Sequence, residues 1–155
     1  MNALELLDII SKGETSQVQF KANVTNEQSI AQEMVAFANT KGGTILIGVD
    51  DKTWDIIGLT DDDLRRLTNL LVNASSQHVK EPIFIETDTI EYEGKKVLIV
   101  TVPEGVAKPY KDNDGIIFMK NGANKRKVTS NEEISRLLQS SGYLYAEETV
   151  SYTHL

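Results

Sequence analysis

Residues 36–51 read Ala36-Phe-Ala-Asn-Thr-Lys-Gly-Gly-Thr-Ile-Leu-Ile-Gly-Val-Asp-Asp51, passing from a helical pattern to a strand pattern through two glycines. Just upstream, the spacing of Ile30, Met34, Phe37 and Ala38 places all four on one side of a helix ending near Asn39. Gly42 and Gly43 break that helix. Residues 44–50 are then almost continuously apolar, the pattern of a strand buried on both faces. A phosphate cradle needs the opposite order, a strand leading through glycines into a helix N-terminus, where backbone N–H groups and the helix dipole meet the anion. A structural role for Gly42 and Gly43 is therefore expected, and ATP binding is not.

Working outward, Asn2 with Glu5 resembles a capping box, followed by an apolar stripe of Leu4, Leu7 and Ile10 up to a stop at Gly13. Residues 17–21 predict a short strand with Val18 and Phe20 on one face, and Thr25 with Gln28 a second capping box. Asp50, Asp51 and Lys52 predict a turn, and residues 55–59 the returning strand of a hairpin. Thr60 and the three acids after it open a helix whose buried face carries Leu64, Leu67 and Leu71. Residues 83–92 and 95–102 form a long hairpin through Glu93-Gly94, ended by Pro103. A turn at 112–115, a short strand at 116–120 and the turn signal Asn121-Gly122 follow. Ser130 and Glu133 make a third capping box, opening a helix with Ile134, Leu137 and Leu138 inward and Gly142 at its end. This order predicts an α+β fold, a mixed β-sheet with hairpins packed against three or four helices.

The chain has 155 residues, 40% of them hydrophobic and 25% charged, an ordinary globular composition that fits one domain. We expect that domain over 1–142, with 143–155 a tail leading to a further region. No apolar run approaches the roughly 20 residues of a membrane span, and Glu5 and Asp8 stand where a signal peptide would carry basic residues. A cytoplasmic protein without membrane contact is the expectation. The chain has no cysteine and two histidines, His78 and His154, so neither a Cys-based zinc site nor a Ser-His-Asp arrangement can be argued. The net charge of −7 disfavours indiscriminate coating of nucleic acid, yet residues 108–128 carry six basic against two acidic side chains, a local +4. Lysines beside Tyr110 combine phosphate contacts with a stacking surface. Such a strip can equally be a solvated loop.

Glu14, Asp50 and Asp51 are acids near strand ends that could converge on Mg²⁺ or Mn²⁺. The plainer reading is that Asp50 and Asp51 suit a tight turn and Glu14 is exposed. Trp54, at a hairpin tip, is either a contact residue or a cover for the hairpin.

Residues 14–21 (Glu-Thr-Ser-Gln-Val-Gln-Phe-Lys), the 36–51 stretch, Ile57-Gly58, residues 100–103, Lys108-Pro-Tyr110 and Phe118-Met-Lys-Asn-Gly122 together resemble the Schlafen AlbA-2 domain. That module is shared by bacterial predicted transcriptional regulators and animal Schlafen proteins and was formerly labelled a divergent AAA domain. The likeness runs from about Glu14 to Leu138. It implies an α+β domain regarded as nucleic-acid-binding, often followed in bacterial proteins by a C-terminal regulatory region. In the ribonuclease members three acids carry metal-dependent cleavage, and by motif they fall here on Glu14, Gln19 and Asp51. Gln19 brings no negative charge, so three carboxylates drop to two and the hold on a hard divalent cation weakens.

The expected function is a non-catalytic DNA- or RNA-binding module of a bacterial transcriptional regulator. Its expected contacts are Lys21, Lys41, Lys108, Tyr110, Lys120, Lys125, Arg126 and Lys127. The alternative is a metal-dependent endoribonuclease with Glu14 and Asp51 as catalytic and metal-binding residues and Mg²⁺ or Mn²⁺ as cofactor. A third reading is an ATP-binding or dimerising regulatory module, the homodimer being its partner state.

Overall fold

The apolar run after the two glycines forms the strand on which both layers of the core meet. The computed structural model describes residues 1–141; Gly142, the tail 143–155 and His154 lie outside the described residues. In chain order the elements are α1 (Ala3–Lys12), β1 (Val18–Lys21), α2 (Glu27–Ala38), β2 (Gly43–Ile47), α3 (Asp61–Gln77), β3 (Val79–Lys80), β4 (Glu86–Tyr92), β5 (Lys95–Val102), β6 (Lys111–Asp112), β7 (Ile117–Asn121), β8 (Asn124–Val128) and α4 (Asn131–Gln139). The main sheet has the order β1-β2-β5-β4, with β1 and β2 parallel and the other pairs antiparallel, so the fold is α+β with a mixed sheet. Two ribbons, β3-β6 and β7-β8, stand apart from it.

Ile45 and Ile47 of β2 pack with Leu98, Val100 and Val102 against α2 and α3, whereas Leu46 joins Phe20, Val97 and Ile99 against Leu6 and Ile10 of α1. Burial on both faces explains why residues 44–50 do not alternate. The turn between β4 and β5 has two residues, Glu93 and Gly94, both at positive φ, as the tight turns that match strand twist require.

Several local expectations needed correction. In α1 the buried residues are Leu6 and Ile10, and Leu4 is 78% exposed. Two steps of three leave Leu4 about 120° from Ile10 around a helix of 3.6 residues per turn, whereas Leu6 lies about 40° away. The cap of α2 is Asn26, accepting from Ser29 N–H, and not Thr25. Residues 55–59 return as two isolated bridges, Val49 to Ile56 and Leu59 to Lys96, instead of a continuous strand. Leu138 is 44% exposed, because α4 buries Leu137 alone, in a small cluster with Ile117 and Val128. The strand β8 and the ribbon β3-β6 were not anticipated: the lysines of β8 hide its strand character, and two-residue strands are too short to show a period.

The glycine pair is architectural. Gly42 has φ +70°, and a Cβ there would lie 2.7 Å from Glu104 N and Val102 O. A Cβ on Gly43 would stand 2.4 Å from the Phe37 ring. Just before them, Asn39 is 1% exposed and makes three hydrogen bonds: Nδ2 donates to Tyr110 O and Phe118 O, both at 2.9 Å, and Oδ1 accepts from Tyr110 N at 2.7 Å. Thr40 Oγ1 donates to Ala36 O and accepts from Lys120 N, and Gly105 N donates to Ala38 O. The end of α2 is thereby tied to residues 105–120. A second tie is Asp112, fully buried, whose Oδ2 accepts from the side-chain amides of Gln28 and Gln32 on α2.

Replacing Asn39 by Ala removes the partner of two buried carbonyls and one buried N–H, and each such loss costs about 1–3 kcal/mol. Asn39→Ala is expected to lower stability by about 3 kcal/mol in urea denaturation; a loss below about 0.5 kcal/mol would show that the clamp is dispensable.

Candidate nucleic-acid interface

The basic residues that looked like one strip are divided by the fold among different surroundings. Lys21 at the end of β1 joins Lys120 and Lys125, which face each other directly across the β7-β8 hairpin, around Glu33 of α2. Lys125 Nζ is 2.9 Å and Lys21 Nζ 3.9 Å from Glu33 Oε1. Lys120 Nζ donates to Ala123 O at 2.8 Å and to Gln19 Oε1 at 3.2 Å, and lies 4.7 Å from the Phe37 ring centroid. Burial pushes the Lys120 ammonium pKa down, against an upward pull from Glu33 and Glu14. Like charges opposite each other destabilise a hairpin, and the buried Glu33 carboxylate offsets that here. Its Oε2 has no hydrogen-bond partner among the described residues.

Three of the expected contacts are buried. Lys108 is 7% exposed, its Nζ 2.7 Å from Glu104 Oε2 and 3.4 Å from Thr40 O. Tyr110 is 6% exposed; its hydroxyl accepts from Ala107 N, and its ring fills the space a Cβ on Gly105 would need. Tyr110 therefore offers no free stacking face. Lys120, also 7% exposed, is a structural cation.

The remaining cations meet elsewhere. Residues 39–41, the β7-β8 hairpin and α4 enclose a cleft of about 420 Å³ lined by Lys41, Lys108, Arg126 and Arg136, with Met119 and Leu137 as its apolar wall. Strand alternation sets this up: Arg126 and Met119 face α4, whereas Lys125 faces α2. Lys41 and Lys127 are exposed and have no ion pair among the described residues. Arg126 forks onto Glu133, with nitrogen–oxygen distances of 3.2 and 2.5 Å. That hydrogen bond holds the Glu133 carboxyl below the usual range and Arg126 above its own. Arg136 pairs with Glu132 on the exposed side of α4.

On the opposite side of the sequence motif, Glu14 Oε2 accepts from Phe20 N at 3.2 Å, and Asp51 is exposed. Asp50 Oδ1 accepts from Lys52 N and Thr53 N, contacts that lower its pKa and fix a tight turn. Among the described residues no group of three or more His, Cys, Asp or Glu is placed to hold a metal ion. Trp54 packs edge-on to Phe20 of β1 at 6.3 Å and closes over Gly13 at the end of α1 while remaining 43% exposed, so what it covers is β1 and α1 and not its own hairpin.

Sequence reasoning missed Glu33, Asn39 and Arg136. Glu33 had a signal: it stands three residues after Ile30 and four before Phe37, on the apolar side of α2. Nothing in the α4 sequence pointed Arg136 toward the cleft.

A family model described as Schlafen, AlbA_2 matches residues 14–129 of the chain. Among solved structures, the crystal structure of the Corynebacterium diphtheriae protein DIP2311 is 22% identical with a TM-score of 0.58, covering 82% of this chain and 24% of that one. The chain thus spans about a quarter of that protein. The solution structure of the N-terminal domain of a Nitrosomonas europaea protein described as related to the DNA helicase RecG is 24% identical with a TM-score of 0.54, covering 84% of this chain and 96% of that one. Both likenesses establish the fold. No helix among the described residues is long and apolar enough to cross a membrane.

Removing one partner from a buried ion pair costs about 3–5 kcal/mol, because the other charge is left uncompensated. Glu33→Gln should therefore destabilise the protein by about 3 kcal/mol in urea, with the hairpin amides of residues 117–128 losing hydrogen-exchange protection first; unchanged protection there would contradict the role given to Glu33.

Proposed function

We propose that this chain, which belongs to the Schlafen AlbA_2 family, is a non-catalytic nucleic-acid-binding module of a transcriptional regulator. The observation that carries this reading is that Lys41, Arg126 and Arg136 line one cleft, whose wall also holds the buried Lys108, with Lys127 exposed on the same hairpin. Three carboxylates, Glu104, Glu133 and Glu132, pair with Lys108, Arg126 and Arg136, which leaves Lys41 in the cleft and Lys127 on the hairpin as positive charges without an ion pair among the described residues. Exposed ion pairs contribute only about 0–1 kcal/mol, so exchanging a carboxylate for a phosphate oxygen costs little. With a chain charge of −7, bulk attraction is weak and the contact is small and oriented. In a longer protein the domain would deliver an attached regulatory region to DNA or RNA, alone or as a homodimer.

Cleavage is not part of this reading. The Lys120 ammonium 3.2 Å from Gln19 Oε1 puts a fixed positive charge beside the residue between Glu14 and Asp51 in the proposed metal set. A divalent cation there would be repelled, and a glutamate introduced at position 19 would pair with Lys120.

Fluorescence anisotropy with short single-stranded DNA and RNA across a KCl series tests binding. Affinity should fall with a log–log slope near −0.7 per phosphate contacted, and Lys41→Glu should weaken binding about tenfold and flatten the slope by about 0.7. Salt-independent affinity, or no binding at the lowest salt, contradicts the reading. With Mn²⁺ present, neither the natural chain nor Gln19→Glu should yield cleavage product. Metal-dependent cleavage abolished by Asp51→Asn would restore the nuclease alternative.

A further inference from the structure

Lys41, Lys108, Arg126 and Arg136 line one cleft, whereas Lys21 and Lys125 are tied to Glu33 and Lys120 is buried, which leaves Lys127 as the hairpin's one exposed cation without an ion pair among the described residues. A strand lying along a surface presents its phosphates one after another, each with a single charge. A terminal phosphomonoester instead concentrates about −1.5 to −2 at one place at neutral pH. A single cleft therefore gains more from a strand end than from its interior.

We propose that the cleft receives the terminal phosphomonoester of a nucleic-acid strand, its phosphate on Arg126 and Lys41 and its end base against Met119 and Leu137; this rests on the nucleic-acid reading above. The cleft volume of about 420 Å³ lies in the range of small-ligand sites, and its wall is apolar beneath a cationic rim. The Arg126 fork already accommodates a two-point oxyanion, the Glu133 carboxylate, with two nitrogen–oxygen contacts. The same planar fork matches phosphate oxygens. Glu133 thus occupies the place of the phosphate and must yield it, which makes it a built-in competitor. Its release leaves α4 held by the Leu137 cluster and its own Ser130 cap.

The test is anisotropy of the full chain with four versions of one ten-nucleotide strand: 5′-phosphorylated, 3′-phosphorylated, hydroxyl-ended and covalently circular. One phosphorylated form should bind at least about tenfold tighter than the hydroxyl-ended and circular forms. Glu133→Gln should strengthen that preference and Arg126→Gln should abolish it, with circular dichroism confirming that both variants fold. Equal affinity for all four forms overturns the inference and leaves nucleic-acid binding standing; so does a preference that survives Arg126→Gln. Absence of binding by every form at low salt removes both. Adenosine monophosphate, but not adenosine, should displace the labelled strand more weakly than the unlabelled phosphorylated strand does. Equal potency would assign the cleft to a free nucleotide and overturn the assignment to a strand end.

Discussion

The Asn39 side chain clamps Tyr110 and the β7 residue Phe118 onto the end of α2. Its amide is consumed by two backbone carbonyls and one N–H from segments about seventy to eighty residues away. Asn39 is 1% exposed, so each of these bonds that is lost leaves a buried polar group without its partner. The clamp determines where α2 ends, how residues 105–110 cross it and where β7 begins. Thr40 extends it by accepting from Lys120 N, and the two glycines let the chain turn back beneath Phe37 into β2. Since β8 is paired to β7, Arg126 stands where it does because Asn39 has fixed its neighbour. The residues of the most specific sequence motif are thus architectural, and the surface chemistry is carried by what they position.

The charge pattern acquires a different meaning in three dimensions. A local +4 between residues 108 and 128 suggests an exposed basic strip. Folding spends half of it internally: Lys108 on Glu104, Lys120 on Gln19 and the Phe37 ring, Lys125 on Glu33. Arg126 is held by Glu133. Lys41, outside the strip in sequence, and Arg136, beyond it, come to the same cleft. Sequence-local charge and spatially local charge are different quantities, and only the second meets a ligand.

Elements with a long apolar period were legible from the sequence: α2, α3, the β4-β5 hairpin and the doubly buried β2 follow from burial that leaves a regular imprint. Short elements were not. The ribbon β3-β6 has two residues on each side, and β8 is a run of Lys-Arg-Lys whose strand character comes from pairing with β7 and from Glu33 neutralising its inward lysine. In α1 a Leu4-Leu7-Ile10 stripe competes with Leu6 and Ile10, and the helical period together with packing against Phe20 and Leu46 selects the second. The cleft was half legible: Lys41, Lys108 and Arg126 were named, but their convergence with Arg136 depends on a helix whose orientation no local pattern encodes. Tyr110 looked like a stacking platform and is core, because the clamp on its backbone draws its ring over Gly105.

The central claim is that nucleic acid meets the chain at the cleft beside the clamp. The most direct measurement is a titration of the isotopically labelled chain with a short single-stranded oligonucleotide, followed by amide and arginine side-chain NMR shifts. The account predicts the largest changes at Lys41, Met119, Arg126, Glu133 and Leu137, with Glu14, Asp51 and Trp54 unmoved. Shifts concentrated around Glu14, Asp51 and Trp54, with the cleft silent, would contradict it.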